Sequence, residues 1–519
     1  MNLVTEPWIP VVGIDGGYRL ASLEQVFSEG WEFADLAVRP HERIALMRLL
    51  ICIAQAALDG PAEYYDDWVN APAQLPQAGK RYLNQWGYAF SLFDSTKPFL
   101  QVSWPIKNHD SGKPISKLDC ALAAGNNSTL FDHEGLAADK RKFSIELLAS
   151  MLVTFQNFAQ GGGVSSAIWI DKPKNFADGP CKPSSMLHAF IRRKTVCDTI
   201  CANLLTKEAV SQHFNKPIAQ CWGKPIWEMM PASFEDGPKI LNATRTYLGR
   251  LVPLARLVRL NAQGQFMLLA SGLEYPRFPE CPREASATEV IRNDKRKLLS
   301  AGAKATWREL SALVVSRGQD EAGGALTLAN IPDNEEFDLW VGALLIDPRK
   351  TAEVLDTVES VFHIPANMRT DNGRAAYAAE VEWAEGISRK LSWAVETYRE
   401  QTDGGWERRI KMAGPKRNEL RGKLHATATR HYWTAVEKLR PLLMKHVEAI
   451  GTTSEAVQQT RNEWLKAIHG AAREAYRLAC GQDTPRQMRA FALGWSKLFA
   501  KPKTESEQPE ELETEKTEA

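Results

Sequence analysis

The 519-residue sequence lacks the short motifs that identify many hydrolases, ATPases and metalloenzymes. It has no GxxxxGK[ST] phosphate-binding loop, no HExxH zinc-protease pair and no GxSxG nucleophile turn. Its histidines are scattered, and no pair of carboxylates stands out beside one of them. We therefore predict no enzymatic activity, no cofactor and no metal site. A metal-dependent nuclease with ligands dispersed along the chain is the alternative that one sequence leaves open.

Cysteine pairs and long apolar runs are also missing. The eight cysteines form no CxxC pair, so we expect free thiols in a reducing cytoplasm. The apolar run at 41–58 is interrupted by charged residues and falls short of membrane-spanning length, which predicts no membrane association. These absences favour a cytoplasmic protein built around hydrophobic cores, for which the chain is amply long.

Net charge is low but unevenly distributed. The total is +1, whereas residues 504–519 contain seven Glu and one Lys, a net charge of −6 that leaves +7 for residues 1–503. An acidic end of this composition predicts a disordered tail over 501–519. The segment 407–423, called the basic cluster below, has a net charge of +5 and is either a solvated helix end or a surface for phosphate contacts. Its cations are Arg408, Arg409, Lys411, Lys416, Arg417, Arg421 and Lys423.

Hydrophobic periodicity divides the chain into two domains. Residues 1–366 predict an irregular α+β domain with apolar helices at 41–58 and 143–158 and short β-hairpins near residues 15–17 and 261–264. A further helix is predicted over 184–206. After residue 371 the pattern becomes amphipathic and helical, with clear caps, and predicts a four-helix bundle over 371–500. The predicted bundle helices are 373–401, 416–450, 453–480 and 485–500.

Two segments of the α+β domain are candidates for ligand contact. Gly161, Gly162 and Gly163 follow the helix over 143–158, and three successive glycines let the main chain come close to another surface. A flexible surface loop and a loop lying against a nucleic-acid groove both fit this pattern. The second segment, 347–350, follows an apolar run and is either a loop that presents charge or the start of a helix.

Several stretches, in collinear order over nearly the whole chain, carry a family resemblance. They are MNLVTEPWIPV at the start, LMRLLICIAQAAL in the first long helix, KPFLQ at 97–101, the glycine loop, KPIW at 224–227, TRTYLGRLVPLARLVRL at 244–260, GLEYPRFPEC at 272–281, and the C-terminal bundle. Together they resemble the CasA family, the large subunits of type I-E Cascade, a CRISPR RNA-guided surveillance complex.

The resemblance implies a non-catalytic subunit. It implies recognition of the short protospacer-adjacent motif in double-stranded DNA, mainly from the minor-groove side, and help in opening the duplex so that guide RNA pairs with the target strand. The protein would read the short motif, and base pairing with the guide RNA would read the remaining target sequence. The implied partners are the guide-RNA-containing Cascade subunits, double-stranded target DNA and a helicase-nuclease that acts in trans.

The resemblance also assigns roles to residues by position in four segments. A motif loop near the minor groove falls on Gly161, Gly162 and Gly163, and a loop that engages the complex near the guide RNA falls on Leu130, Phe131 and Asp132. A wedge that splits the first base pairs falls on Asp347, Pro348, Arg349 and Lys350, and a motif-reading hairpin falls on 261–265 with Gln263 and Gln265.

Two of these segments depart from the family pattern. Pro348 stands where the family wedge carries Gln, and the hairpin at 261–265 has no Lys. Apolar wedges also separate base steps, and Gln can donate to minor-groove acceptors, so both roles stay possible with different chemistry. The departures leave the preferred motif open. They also leave open the alternative that the chain is a large subunit adapted to a transposon-associated, interference-deficient system.

Overall fold

The structure, a computed structural model, describes residues 1–102, 112–120, 143–161, 178–302, 304–316, 322–347, 354–402 and 415–499, with the backbone alone for Tyr65 and 415–421. The chain divides into two compact units, Met1–Arg369 and Thr370–Ala519. The first unit mixes helices with small sheets, and the described part of the second is helical. This confirms the predicted fold class, an α+β region followed by a helical bundle.

The strands of the first unit pair antiparallel. The sheets have the orders β2-β1-β3, β11-β10-β5 and β4-β7-β6, and β8 and β9 form a separate hairpin. The strands are β1 Ile9–Gly13, β2 Tyr18–Ala21, β3 Phe33–Leu36, β4 Lys113–Pro114, β5 His188–Arg192, β6 Arg256–Leu260, β7 Phe266–Ser271, β8 Glu289–Arg292, β9 Lys295–Leu298, β10 Phe337–Ile346 and β11 Val354–Ile364.

The helices of the first unit are mostly short. The α-helices are α1 Leu23–Ser28, α2 Pro40–Leu58, α3 Ala71–Trp86, α4 Ile145–Phe158, α5 Val196–Ala202, α6 Lys207–Phe214, α7 Ile218–Cys221, α8 Gly237–Arg245, α9 Tyr247–Leu251 and α10 Leu310–Leu313. Single turns of 3₁₀-helix lie at Gly87–Phe90, Ile115–Leu118, Pro183–Ser185, Thr306–Glu309, Leu326–Asn330 and Ala366–Arg369, and a π-helical turn at Tyr64–Trp68.

Helix α2 is the centre of the first unit's core, as its sequence predicts. Pro40 occupies the first helical turn, and the carboxylate of Glu42 accepts the N–H of Arg39 at 2.9 Å. Residues 41–55 are buried without a polar face. A helix that is buried on all sides needs cover on all sides, and α3, α4, α5, α9 and β10 supply it.

The predicted helix over 184–206 is wrong. Residues His188–Arg192 form strand β5, which pairs with the central strand β10, and a helix begins only at Val196. A short buried apolar run is ambiguous between strand and helix, and here pairing with the apolar β10 decides the outcome. Thr195 then caps α5 by accepting the N–H of Asp198 at 3.1 Å.

The described part of the second unit contains five helices rather than the four predicted. The predicted helix over 416–450 is interrupted after Lys438 because Pro441 lacks a backbone N–H and starts a new helix. The longest helix packs against all of the others. The helices are Asp371–Thr402, Pro415–Lys438, Arg440–Ala449, Ser454–Ala479 and Pro485–Lys497.

Two chain-wide expectations bear on the class of protein. All eight cysteines are described, and all are free thiols, as predicted. None of the helices in the described ranges combines the length and the hydropathy that crossing a membrane requires.

Candidate nucleic-acid interface

The residues on the two sides of segment 162–177 are hydrogen-bonded to each other. The N–H of Gly161 donates to Asp178 Oδ1 at 2.6 Å, and the N–H of Gly179 donates to the carbonyl of Ala159 at 2.8 Å. We call these four residues the glycine-loop neck. The two ends of segment 162–177 are therefore held next to each other.

Cationic side chains surround the glycine-loop neck. Asp178 accepts hydrogen bonds from Lys182 Nζ at 3.1 Å and from Arg277 Nη2 at 2.6 Å. Arg256 Nη2 donates to the carbonyl of Gln160 at 2.7 Å, and burial lowers the pKa of Arg256 while Asp178 opposes that effect. Asp178 thus pairs with two cations at the base of the loop, and Arg256 holds the neighbouring backbone. The Arg277 side chain is 54% exposed and available to a ligand.

The predicted wedge begins where strand β10 ends. Ile346 is the last residue of β10 and Val354 the first of its antiparallel partner β11, so 347–353 connects a long hairpin. The N–H of Ile346 donates to Ser185 Oγ at 3.0 Å. Ser185 follows Asp178 closely in the chain. The segment that closes the glycine-loop neck therefore also holds the base of the wedge hairpin.

A cleft of about 980 Å³ lies between these two elements. One wall comes from the glycine-loop neck and the segment that follows it, and another from the base of the wedge hairpin. The structure thus brings together two elements that the sequence could only name separately. Strand β9 adds a basic rim to the cleft through Arg296 and Lys297. Representative lining residues are Asp178, Ser185, Arg277, Arg296, Lys297 and Ile346.

The hairpin β8–β9 is a basic element of this rim that the sequence analysis missed. Asn293 and Asp294 form its turn with φ angles of 53° and 57°, the left-handed values that a two-residue hairpin turn requires. The side chains of 291–297 are exposed. The signal was an Asn-Asp pair between two short runs of strand-forming residues. The cations of the hairpin are Arg292, Lys295, Arg296 and Lys297.

The four cations of this hairpin differ in their partners. Arg296 Nε donates to Glu289 at 3.1 Å, and Arg292 Nη2 lies 3.2 Å from Glu309. Lys295 and Lys297 make no salt bridge to any residue that the structure describes. Both ammonium groups are therefore available to a phosphate or to base edges.

The predicted hairpin at 261–265 is confirmed, but it lies at a distance from the glycine-loop neck. Strands β6 and β7 pair across it, and a Cβ on Gly264 would lie 2.6 Å from Leu148 Cδ1. Leu148 precedes the end of α4 by ten residues, which is about 15 Å along the helix. Gln263 and Gln265 are exposed near the far end of α4.

Several predicted residues fall outside the described part of the chain. In the basic cluster, Lys423 is exposed on the helix Pro415–Lys438. Asp347 is described at the end of β10, and the acidic tail 501–519 is not described. Also outside are Gly162, Gly163, Leu130, Phe131, Asp132, Pro348, Arg349, Lys350, Arg408, Arg409 and Lys411, whereas Lys416, Arg417 and Arg421 have a described backbone only.

A buried ion network supports the cleft wall. Glu284 lines the cleft and contacts Arg48 of α2, with Arg48 Nη1 2.8 Å from Glu284 Oε2, and Arg250 of α9. Burial opposes ionisation of Glu284, yet the two guanidinium groups lower the pKa of its carboxyl to about 2. Arg48 Nε also donates to the carbonyl of Leu251 at 3.1 Å. The network ties the central helix to the wall of the cleft.

Comparison with known proteins identifies the class first. A profile of CRISPR-associated proteins, described as CRISPR-associated protein Cse1, matches residues 2–475. The chain therefore belongs to the Cse1 family, also called CasA, which confirms the resemblance predicted from the sequence. The CRISPR-associated protein CasA/Cse1 of Thermus thermophilus is 27% identical over 508 residues, covering 92% of this chain and 91% of the relative.

Solved structures agree with this assignment at the level of the fold. The crystal structure of Thermus thermophilus CasA has a TM-score of 0.74 at 22% identity and covers 96% of this chain and 98% of its own. Thermobifida fusca Cse1 has a TM-score of 0.72 at 18% identity with coverages of 96% and 98%. A chain of a CRISPR RNA-guided surveillance complex has a TM-score of 0.69 at 17% identity with coverages of 96% and 99%.

Proposed function

We propose that this chain is the non-catalytic large subunit of an RNA-guided Cascade complex and acts in the cytoplasm. It recognises a short motif beside the target in double-stranded DNA, helps to begin strand separation, and docks a helicase-nuclease that acts in trans. The cleft carries the proposal, because Asp178 of the glycine-loop neck, the base of the wedge hairpin and the basic hairpin β8–β9 line it in a chain of the Cse1 family. The guide RNA then reads the remaining target sequence by base pairing.

The charge of the cleft suits a DNA backbone. Arg277 at the glycine-loop neck and Lys295 and Lys297 on the basic hairpin are exposed cations on the first unit. Phosphate contacts by such residues position a duplex and carry no sequence information. Gly161–Gly163 lack side chains, so their backbone can approach base edges in the narrow minor groove. Positioning and reading are therefore assigned to different parts of the same cleft.

The motif-reading hairpin is assigned here to β8–β9 rather than to 261–265. The basic hairpin lines the cleft through Arg296 and Lys297 and also exposes Lys295, whereas Gln263 and Gln265 lie near the far end of α4. In the minor groove A·T pairs present only acceptors, whereas G·C pairs add the amino donor of guanine, so a lysine donor there distinguishes the two kinds of pair. Gln265 is the competing assignment, and the two are separated by single substitutions.

The remaining roles follow from the family resemblance. Asp347–Lys350 separate the first base pairs, with Pro348 as a rigid apolar wedge. Leu130, Phe131 and Asp132 engage the guide-RNA-containing subunits. The basic cluster of the second unit holds unwound DNA by phosphate contacts, which makes that contact salt-dependent.

The test is a gel-shift titration of the reconstituted RNA-guided complex with and without this chain. The probes are matched duplexes that differ only in the bases flanking the target. Binding that depends on the flank only when this chain is present supports motif recognition. If the chain joins the complex and binding ignores the flank, the subunit has a structural or docking role and the proposal fails.

Single substitutions then locate the reading elements. Gly162→Asp is expected to abolish flank-dependent binding selectively, because a charged side chain blocks close approach to the groove. Lys295→Ala is expected to weaken flank discrimination, whereas the matched Gln265→Ala leaves it unchanged. Equal losses on duplexes with and without the motif would instead indicate misfolding, and the reverse pattern for the last two variants would return the role to 261–265.

A further inference from the structure

Three potential metal ligands lie together in the first unit at the start of α2. His41 is the second residue of that helix, and Asp119 and Cys120 follow the 3₁₀ turn Ile115–Leu118. One imidazole nitrogen, one carboxylate oxygen and the Cys120 Sγ all lie within 4.8 Å of one another. His41 lies far in the sequence from the adjacent Asp119 and Cys120, so sequence spacing could not reveal the cluster.

The imidazole of His41 points to a missing partner. Its side chain is fully buried, and neither Nδ1 nor Nε2 has a hydrogen-bond partner among the described residues. Buried polar atoms are nearly always paired, because an unpaired one costs about 1–3 kcal/mol. The ring of Phe158 packs edge-on against it with centroids 6.1 Å apart, which holds the imidazole in place.

The charges around the cluster leave room for a divalent cation. Arg39 Nη2 lies 2.7 Å from Asp119 Oδ2 and 2.6 Å from Glu42 Oε1, so one cation faces two carboxylates. With Cys120 as a thiol, Arg39, Asp119 and Glu42 together carry −1, and a divalent ion that displaces the thiol proton to solvent brings the sum of these groups to zero. Lys182, whose partner Asp178 also pairs with Arg277, lies outside this sum.

We propose that His41, Asp119 and Cys120 bind a divalent transition-metal ion, with zinc the best fit to the donor set. Tetrahedral zinc holds N, O and S ligands at about 2.0–2.3 Å, which places the ligand atoms roughly 3.3–3.8 Å apart. Shifts of about 1 Å therefore close the site. Arg39 donates to Oδ1 and Oδ2 of Asp119 at 3.2 and 2.7 Å, and each oxygen of a carboxylate carries two lone pairs. Water fills the fourth position. The thiolate selects zinc over magnesium and calcium.

The ion would fix the position of Cys120, which is the last described residue before 121–142. That segment contains Leu130, Phe131 and Asp132, to which the proposed function assigns contact with the complex. A metal ion bound by both Cys120 and His41 anchors this point of the chain to the central helix α2. Cys120 is half-buried, which gives the ion a path from solvent. This consequence rests on the proposed function, whereas metal binding itself does not.

The test uses the full chain, purified under reducing conditions and treated with a chelator. Zinc is added back and the bound metal is measured after dialysis, and cobalt(II) is used as a spectroscopic probe. One equivalent of zinc, a thiolate-to-cobalt charge-transfer band and a rise in Tm with zinc are expected. Absence of retained zinc together with absence of the cobalt band overturns the proposal, whatever the DNA-binding result.

Matched cysteine variants assign the ligand. Cys120→Ser is expected to lose the charge-transfer band and to weaken zinc binding more than about 100-fold, beyond the loss typical of an outer-shell change. Cys480→Ser, which removes a buried thiol from the other unit, keeps both properties. A full charge-transfer band in Cys120→Ser contradicts the assignment. If that variant does not fold, X-ray absorption of the zinc-loaded wild type decides, since the site requires one sulfur ligand.

Discussion

Replacing Glu284 by glutamine tests whether the buried ion network holds α2 against the cleft wall. Glutamine keeps the size of the side chain and one carbonyl acceptor, but it removes the negative charge. The side chains of Arg48 and Arg250 are 1% and 7% exposed, so little water reaches the charges left behind. Removing one partner of a buried ion pair costs about 3–5 kcal/mol.

The pKa of the carboxyl gives a second route to the same magnitude. It falls from the usual 4.5 to about 2 because Arg250 and Arg48 outweigh the effect of burial. That difference corresponds to about 3 kcal/mol in favour of the charged over the neutral carboxyl. The neutral carboxyl resembles glutamine, so we expect Glu284→Gln to lower the free energy of unfolding by about 3 kcal/mol.

Urea unfolding of the full chain, followed by tryptophan fluorescence, measures this loss. The matched control is Glu309→Gln, which removes the partner of the exposed Arg292 and is expected to change stability by less than about 1 kcal/mol. If Glu284→Gln costs no more than this control, the buried network does not stabilise the wall and the reasoning is refuted.

The pH dependence of the Glu284 effect has a definite sign. The pKa of the carboxyl is lower in the folded than in the unfolded chain, so its stabilisation is present above pH 4.5 and is lost as the pH falls towards 2. Wild type and Glu284→Gln should therefore converge in stability over that range. A difference that stays constant would show that packing rather than charge is responsible.

The other predictions concern the second unit and a buried histidine. Gly494→Ala should destabilise the bundle by about 1–3 kcal/mol, because the added Cβ would lie 2.6 Å from the carbonyl oxygen of Ala394. Gly470 lies within a helix, and a Cβ added there would meet no atom beyond the adjoining helix backbone within 4 Å, so Gly470→Ala should stabilise the bundle by about 0.5–1 kcal/mol. Thermal unfolding measures this contrast. Burial lowers the pKa of His188 to about 4, so the free energy of unfolding should fall by up to about 3 kcal/mol as the pH drops from 6.5 to 4. Urea titrations of His188→Gln should show a weaker dependence of stability on pH over that range. Alanine at four positions of the basic cluster should weaken binding to all DNA sequences and reduce the salt slope by about 0.9 for each lost phosphate contact, and an unchanged slope would contradict the assigned role. The four positions are Arg408, Arg409, Lys416 and Arg417.

The sequence predicted correctly those helices whose ends are set by interactions between residues close together in the chain. Helix α2 combines an apolar run with a Pro start and a Glu42 cap, so its bounds could be read directly. The last bundle helix follows a capping box in which the side chains of Thr484 and Gln487 accept each other's backbone N–H. Strand β5 was misread as helix because its partner β10 lies far away in the sequence. Only that pairing distinguishes a short buried strand from a buried helix.

The candidate interface was predicted as segments and not as a site. The glycine run and the 347–350 turn were each visible, but one sequence does not show proximity. The proximity of the glycine-loop neck and the base of the wedge hairpin depends on Asp178 and Ser185, neither of which belongs to a recognisable motif. The basic hairpin β8–β9 was missed because the family role had been placed on the other short hairpin, at 261–265. Nothing local distinguishes which of two hairpins lines a cleft.

One short stretch of chain, residues 178–192, contacts both the glycine-loop neck and the base of the wedge hairpin. Asp178 closes the glycine-loop neck, Ser185 holds the N–H of Ile346, and His188–Arg192 then pairs with β10, the strand that leads into the wedge. Each contact is to backbone or to a buried group, so the stretch has little freedom to move relative to either element. In the proposed function, the loop that reads the motif and the wedge that opens the duplex are therefore held at a set spacing. That spacing lets recognition of the motif place the wedge at the first base pairs without a separate conformational step.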